Sequence, residues 1–182
     1  MPKLDKKTAK AVDEAEEVTG GFEPHPAGLY VATLKEVEAR TAQSSGAAMW
    51  GIEMENLKDL EGNSFPGRQF TNLVLPGDDD EIPDSYKQPE RSVEKGNTRE
   101  EAWESRNAFL NGKMKRFFNA FEMTLDSDTD EMIGERCIIK LAVKTAEAGK
   151  RKGELVNEID DFRPLSSVDF EDDASGDGDD DF

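Results

Sequence analysis

Cysteine occurs once in this chain, at Cys137, and histidine once, at His25. A single thiol excludes an internal disulfide and any zinc site built on cysteines, and it fits a reducing compartment. The single imidazole stands between Pro24 and Pro26 with no nucleophile beside it in sequence. Long apolar runs are also missing: none approaches the ~20 residues that cross a bilayer. The N-terminal stretch MPKLDKKTAKAVDEAEE lacks the apolar core of a secretion signal. These absences predict a soluble cytoplasmic protein with no membrane contact. Glycine-rich phosphate loops are absent too, since Gly112-Lys113 has neither the preceding glycine spacing nor the following hydroxyl. The run Asp78-Asp79-Asp80-Glu81 lacks the glycine and the spaced ligands of a calcium loop and reads as a solvated loop. The expectation is a non-enzyme without metal or cofactor. Cations are scarce as well: 23 Lys and Arg stand against 41 Asp and Glu, a formal net charge of −18. A DNA-coating surface is usually basic overall, so any nucleic-acid site here must be a local patch.

What is present is uneven. Residues 1–21 are cationic and then acidic, close on Gly20-Gly21, and read as a flexible N-terminal arm. At the other end, SSVDFEDDASGDGDDDF (166–182) holds eight carboxylates, no cation, and the rings of Phe170 and Phe182. So charged a segment buries too little to offset ordering entropy and is expected to be disordered. It is either a solubilising tail or a ligand for a basic groove with an apolar pocket.

Between these ends lies one domain, 22–165. GLYVATLKEVEAR (28–40) alternates as a strand, with Leu29, Val31 and Val37 opposed to Tyr30, Ala32 and Leu34. After the polar loop TAQSSGAA, AMWGIEMENL places Ala48, Trp50, Ile52 and Met54 on one face and Gly51, Glu53 and Glu55 on the other. RQFTNLVL (68–75) is a third strand. Residues 76–97 form an acidic loop insertion, long for a compact domain. Thr98-Arg99-Glu100-Glu101 has capping-box form and opens a helix with Trp103, Leu110, Met114, Phe117 and Phe121 on one stripe. Asn111-Gly112 is a candidate break. RCIIKLAVKT (136–145) and ELVNEIDDF (154–162) are the fourth and fifth strands, and Cys137 falls among core positions as a small hydrophobe. The predicted fold is mainly β with one helical segment: a five-stranded OB-fold barrel with its helix between strands three and four.

In that fold oligonucleotides cross strands two and three, flanked by the loops between strands one and two and between strands four and five. Arg40 borders the first loop. The second, Lys144 to Lys152, carries Lys144, Lys150, Arg151 and Lys152 against Glu147; it is either a phosphate-binding finger or an ordinary solvated turn. Stacking platforms are sought among Tyr30, Trp50 and Phe70. Trp50 shares a face with Ile52 and Met54, which suits core packing equally, and Tyr30 is undecided. Phe70, flanked by Arg68 and Asn72, sits on the face better suited to exposure. Lys35, Arg68 and Lys140 complete the candidate DNA-contacting set. Lys113, Lys115 and Arg116 on the helix form either a second patch or a solvated face.

With the strand order, the cationic hairpin and the tail together, the chain resembles the single-stranded DNA-binding proteins of tailed bacteriophages. The likeness rests on AGLYVATLKEVE, GERCIIKLAVKT, NEIDDFRPL and the acidic tail ending in Phe182, and covers most of residues 22–182. It implies a sequence-independent binder of single-stranded DNA in phage replication, recombination or repair, working in the cytoplasm of an infected bacterium. It also implies that Asp169 to Phe182 competes for the protein's own DNA groove. Through Phe170, Asp179, Asp180, Asp181 and Phe182 the tail would then recruit a phage or host polymerase, helicase or primase. A homodimer exchanging tails is compatible and not required. The alternative from another class is an acidic DNA mimic that inhibits a host nuclease or nucleic-acid-binding protein.

Overall fold

The structure, a computed structural model, describes residues 23–168. The arm (1–21) and the tail residues Phe170, Asp179, Asp180, Asp181 and Phe182 lie outside the described residues.

The chain is mainly β. Its strands are β1 (Gly28–Thr41), β2 (Ala48–Asp59), β3 (Ser64–Phe65), β4 (Gln69–Val74), β5 (Arg136–Thr145) and β6 (Leu155–Arg163). They form one six-stranded sheet in the order β3-β2-β1-β5-β6, with β4 also on β2, and every pairing is antiparallel. Five strands in a barrel were expected. The sixth is the two-residue β3, which extends β2 beyond its pairing with β4. The sheet does not close: β4 and β6 come into contact but share no ladder.

Two register shifts along β1 bend the long β1–β2 pair and change which residues face inward. Tyr30, Ala32 and Leu34 are buried on the inner face. After the shift between Leu34 and Glu36, Val37 packs against the same core, although simple alternation places it with Leu29 and Val31. On β2 the inner residues are Trp50, Ile52 and Met54, and Asn56 adopts a positive φ of 54° that turns Leu57 into the core.

One helical segment was expected, and three α-helices occur among the described residues: α1 (Glu90–Glu94), α2 (Arg99–Ala120) and α3 (Thr129–Met132), with a 3-10 turn at Leu165–Ser167. All three lie between β4 and β5. Thr98 caps α2 in both directions, its hydroxyl accepting from the Glu101 amide and its own amide donating to the Glu101 carboxylate. The helix runs unbroken through Asn111-Gly112. Glycine costs a helix interior about 1 kcal/mol. Each large side chain buried beyond it contributes about 1.5–3 kcal/mol, and Phe117, Phe118 and Phe121 are all buried.

The helix serves two neighbours. Its C-terminal half plugs the sheet: Phe117 meets Phe162 at 5.2 Å and Phe121 at 5.3 Å between ring centroids. Its N-terminal half holds down the 76–97 segment, which is therefore anchored and partly helical where a structureless loop was expected. The Trp103 indole donates to the Asp78 carbonyl at 2.8 Å, and the Tyr86 ring packs on Trp103 at 4.8 Å. The Asn107 amide donates to the Gly77 carbonyl and to the Asp79 carboxylate. No helix among the described residues is long and apolar enough to cross a membrane.

Candidate nucleic-acid interface

Alternation that turns Trp50, Ile52 and Met54 inward leaves Gly51 and Glu53 on the outer face of β2. Register aligns them with outer residues of both neighbours. Glu36, Glu53 and Phe70 lie in one row across β1, β2 and β4, and Glu38, Gly51 and Asn72 lie in the next. Phe70 is 62% exposed on this face. An apolar ring left in water amid polar neighbours is a surface with an available contact area.

Two hollows meet at Phe70. The first, about 110 Å³, is bounded by Glu38, Arg40, Gly51, Glu53, Phe70 and Asn72. A Cβ at position 51 would fall 2.6 Å from Arg40 Nε, so glycine there lets the Arg40 side chain lie across the floor of this hollow. The second, about 180 Å³, is bounded by Pro24, Arg68, Phe70, Arg151, Leu155 and Asn157. Both are smaller than the roughly 300–1,000 Å³ of a small-molecule site. Two open hollows of this size suit an extended ligand better than an enclosed one.

The electrostatics are mixed. Glu53 accepts from Lys35 at 3.1 Å and from Arg68 at 2.7 Å. Burial raises the pKa of its carboxyl, but those hydrogen bonds and the two positive charges outweigh burial and hold it below the usual glutamate value. Arg40 directs two nitrogens at one Glu38 oxygen, Oε2, with Nε at 2.8 Å and the terminal nitrogen at 2.7 Å. Lys144 donates to Asp160 and Glu158, and these bonds raise its ammonium pKa. Arg151 reaches Glu154 at 2.9 Å. Lys150 and Lys152 are exposed at the hairpin turn.

The structure thus brings Lys35, Arg40, Arg68, Phe70 and Arg151 onto one continuous surface. Two candidate platforms are corrected. Tyr30 is 3% exposed, its hydroxyl donating to the Pro26 carbonyl at 2.6 Å and its ring packed edge-on to Phe65 at 5.1 Å. Burial, then the Asp59 charge, raises its phenol pKa. Trp50 faces inward, 6.1 Å from Phe118 and 6.4 Å from Phe117 between centroids. Both rings fall on the inner face because strand parity, not ring type, decides direction. Lys140 is exposed on β5, across β1 from β2 and outside both hollows. Lys144 is on the hairpin but is tied to β6.

Alternation places Gly51 and Asn72 on the outer face without counting them as site residues, and Leu155 is missed. A glycine inside a strand pattern signals a close approach, and Leu155 is an apolar residue directly after a polar turn. The acidic row Glu36, Glu38 and Glu53 was also unanticipated as a feature of the same face. His25 proves structural: its imidazole Nε2 lies 2.8 Å from the Pro66 carbonyl, and its main chain is gripped by Asn157. Cys137 is fully buried, and burial pushes its thiol up to about 12. Comparison with protein-family models and with curated protein sequences finds no match.

Proposed function

We propose that the chain is a sequence-independent single-stranded DNA-binding protein whose body is a partly open OB-type barrel. The strand order supports this reading. β1 pairs with β2 on one side and β5 on the other, β4 approaches β6 without a ladder, and the helices lie between β4 and β5. In such a barrel the ligand crosses β2 and β4, between the β1–β2 and β5–β6 loops. The observation that carries the proposal is Phe70: a ring 62% exposed on that path, between Arg40 at one end and Arg151 at the other. Bases stack on the ring, and phosphates meet the hairpin Lys150–Lys152. The acidic row on β1 and β2 limits affinity at low salt, in keeping with a body that relies on few phosphate contacts.

The test is fluorescence anisotropy with a labelled oligothymidine over a salt series. Phe70→Ala is expected to weaken binding by roughly five- to a hundred-fold, the value of one stacked base, with its thermal midpoint nearly unchanged. Neutralising Lys150, Arg151 and Lys152 together is expected to weaken binding and flatten the salt slope by about two, at ~0.7 per lost phosphate contact. No binding by the unaltered protein would overturn the proposal and favour the acidic-mimic reading.

A further inference from the structure

The solvent face of α2 carries an apolar ring within a basic patch. Phe109, Gly112, Lys113 and Arg116 fall at i, i+3, i+4 and i+7, one stripe of the helix. Phe109 is 62% exposed, and the Lys113 ammonium lies over its ring, 4.9 Å from the centroid. Gly112 contributes no side chain, and the space where a Cβ would stand is open. Arg116 pairs with Asp161 at 3.0 Å. Among the described residues Lys113 and Lys115 form no ion pair.

Beside this patch the described chain leaves off. The Ser166 hydroxyl donates to the Glu122 carboxylate at 3.2 Å, which fixes the 3-10 turn Leu165–Ser167 next to the C-terminal end of α2. The fourteen residues that follow, 169–182, hold eight carboxylates and two phenylalanines. From the end of α2 back to Phe109 is eleven residues, about 16 Å at 1.5 Å per residue. Fourteen residues span at most about 50 Å. Phe170, two residues beyond Val168, reaches only about 7 Å; Phe182 covers the distance.

We propose that the segment Asp177–Phe182 docks on its own α2, with the Phe182 ring against Phe109 and its carboxylates on Lys113. Charge decides between this site and the outer groove, where the bacteriophage resemblance would put the segment. The groove presents Glu36, Glu38 and Glu53 to an acidic ligand, and Arg40 and Arg68 there already hold carboxylates. Lys150 and Lys152 on the hairpin are, like Lys113, without an ion pair among the described residues; what sets the α2 stripe apart is that none of Phe109, Gly112, Lys113 and Arg116 is a carboxylate. Tethering beside the patch sets a local concentration on the order of millimolar, so weak contacts suffice. The inference does not rest on DNA binding, and the two readings fail separately.

Zero-length carbodiimide cross-linking of the full chain, mapped by mass spectrometry on a mixture of light and nitrogen-15-labelled protein, tests it. The expected major products join Lys113, rather than Lys115 on another face of the helix, to Asp177, Asp179, Asp180 or Asp181 within one chain. Phe109→Ala and Phe182→Ala are each expected to lower that yield several-fold with circular dichroism unchanged, since neither ring builds the described core. Major products at Lys35, Lys150 or Lys152, predominantly light–heavy products, or no product from this segment would overturn the proposal.

Discussion

Glu53 sits at 12% side-chain exposure between Lys35 and Arg68 on the outer face of the sheet, and most of the local charge logic runs through it. Its carboxyl pKa is lowered in the folded state, because the two cationic donors outweigh burial. A folded-state pKa below the unfolded one means that the unfolded chain takes the proton first. The contribution to stability is therefore complete above the ordinary glutamate value near 4.3 and is lost as pH falls through and below it. Glu53→Gln is expected to flatten the acid limb of stability. Urea midpoints measured from about pH 6 to about pH 3 should fall less in the variant than in the original protein. An identical slope would mean that other carboxylates set the acid response. At this scale Phe70 and Tyr30 make the instructive contrast. Both are aromatic residues on strands of the same sheet, yet one is 62% exposed and the other 3%. The same-face neighbours separate them: Ala32 and Leu34, at i+2 and i+4, continue the inner face for Tyr30, whereas Arg68 and Asn72, at i±2, continue the outer face for Phe70.

Elements whose signals are local were legible in sequence. Thr98 and Glu101 specify the start of α2 because a capping box needs only four consecutive residues, and both of its hydrogen bonds form. β1, β2, β4, β5 and β6 follow from period-two alternation. The 76–97 segment was not legible, because what orders it comes from 25–30 residues away on α2. Trp103 read as one more core residue on a single stripe, but it packs on that segment and stands outside the main core cluster. Gly77 measures how tightly the segment is held, since a Cβ there would lie 2.5 Å from Trp103 Cζ2. Gly77→Ala is expected to cost about 1–3 kcal/mol through the displaced indole. Urea denaturation gives the loss, and Trp103 fluorescence should shift to the red as the ring gains water. A neutral variant would show that the segment is free to move off the helix. Of the candidate site, the exposed face of Phe70 and the cationic hairpin could be read from alternation and composition. The acidic row could not, since it requires the register across β1 and β2.

At the scale of the whole molecule, the sheet leaves a seam between β4 and β6 that backbone pairing does not close. Residues ahead of β1 fill it. The Asn157 side chain, on β6, accepts from the His25 amide at 2.8 Å and donates to the His25 carbonyl at 2.9 Å, imitating a strand partner. The His25 ring reaches the Pro66 carbonyl just before β4 and packs edge-on to Phe65 at 5.3 Å between centroids. One side-chain amide and one imidazole thus join two sheet edges that are distant in sequence, and the same seam underlies the second hollow, where Pro24, Phe70 and Leu155 meet. Asn157→Ala removes both of these bonds to the buried main chain of His25, at a cost of about 1–3 kcal/mol. The loss should be local, because β1 keeps its ladders to β2 and β5 whatever happens at the seam. Hydrogen exchange is therefore expected to quicken at the facing edges of β4 and β6 and along residues 23–27, while the β1–β2 amides keep their protection. Uniform quickening across all strands would instead make the seam a determinant of global stability. With the edges apart, Arg151 and Leu155 no longer hold their place beside Phe70. If the proposed path for DNA is right, Asn157→Ala should weaken oligothymidine binding even though Asn157 contributes no charge and no ring to it.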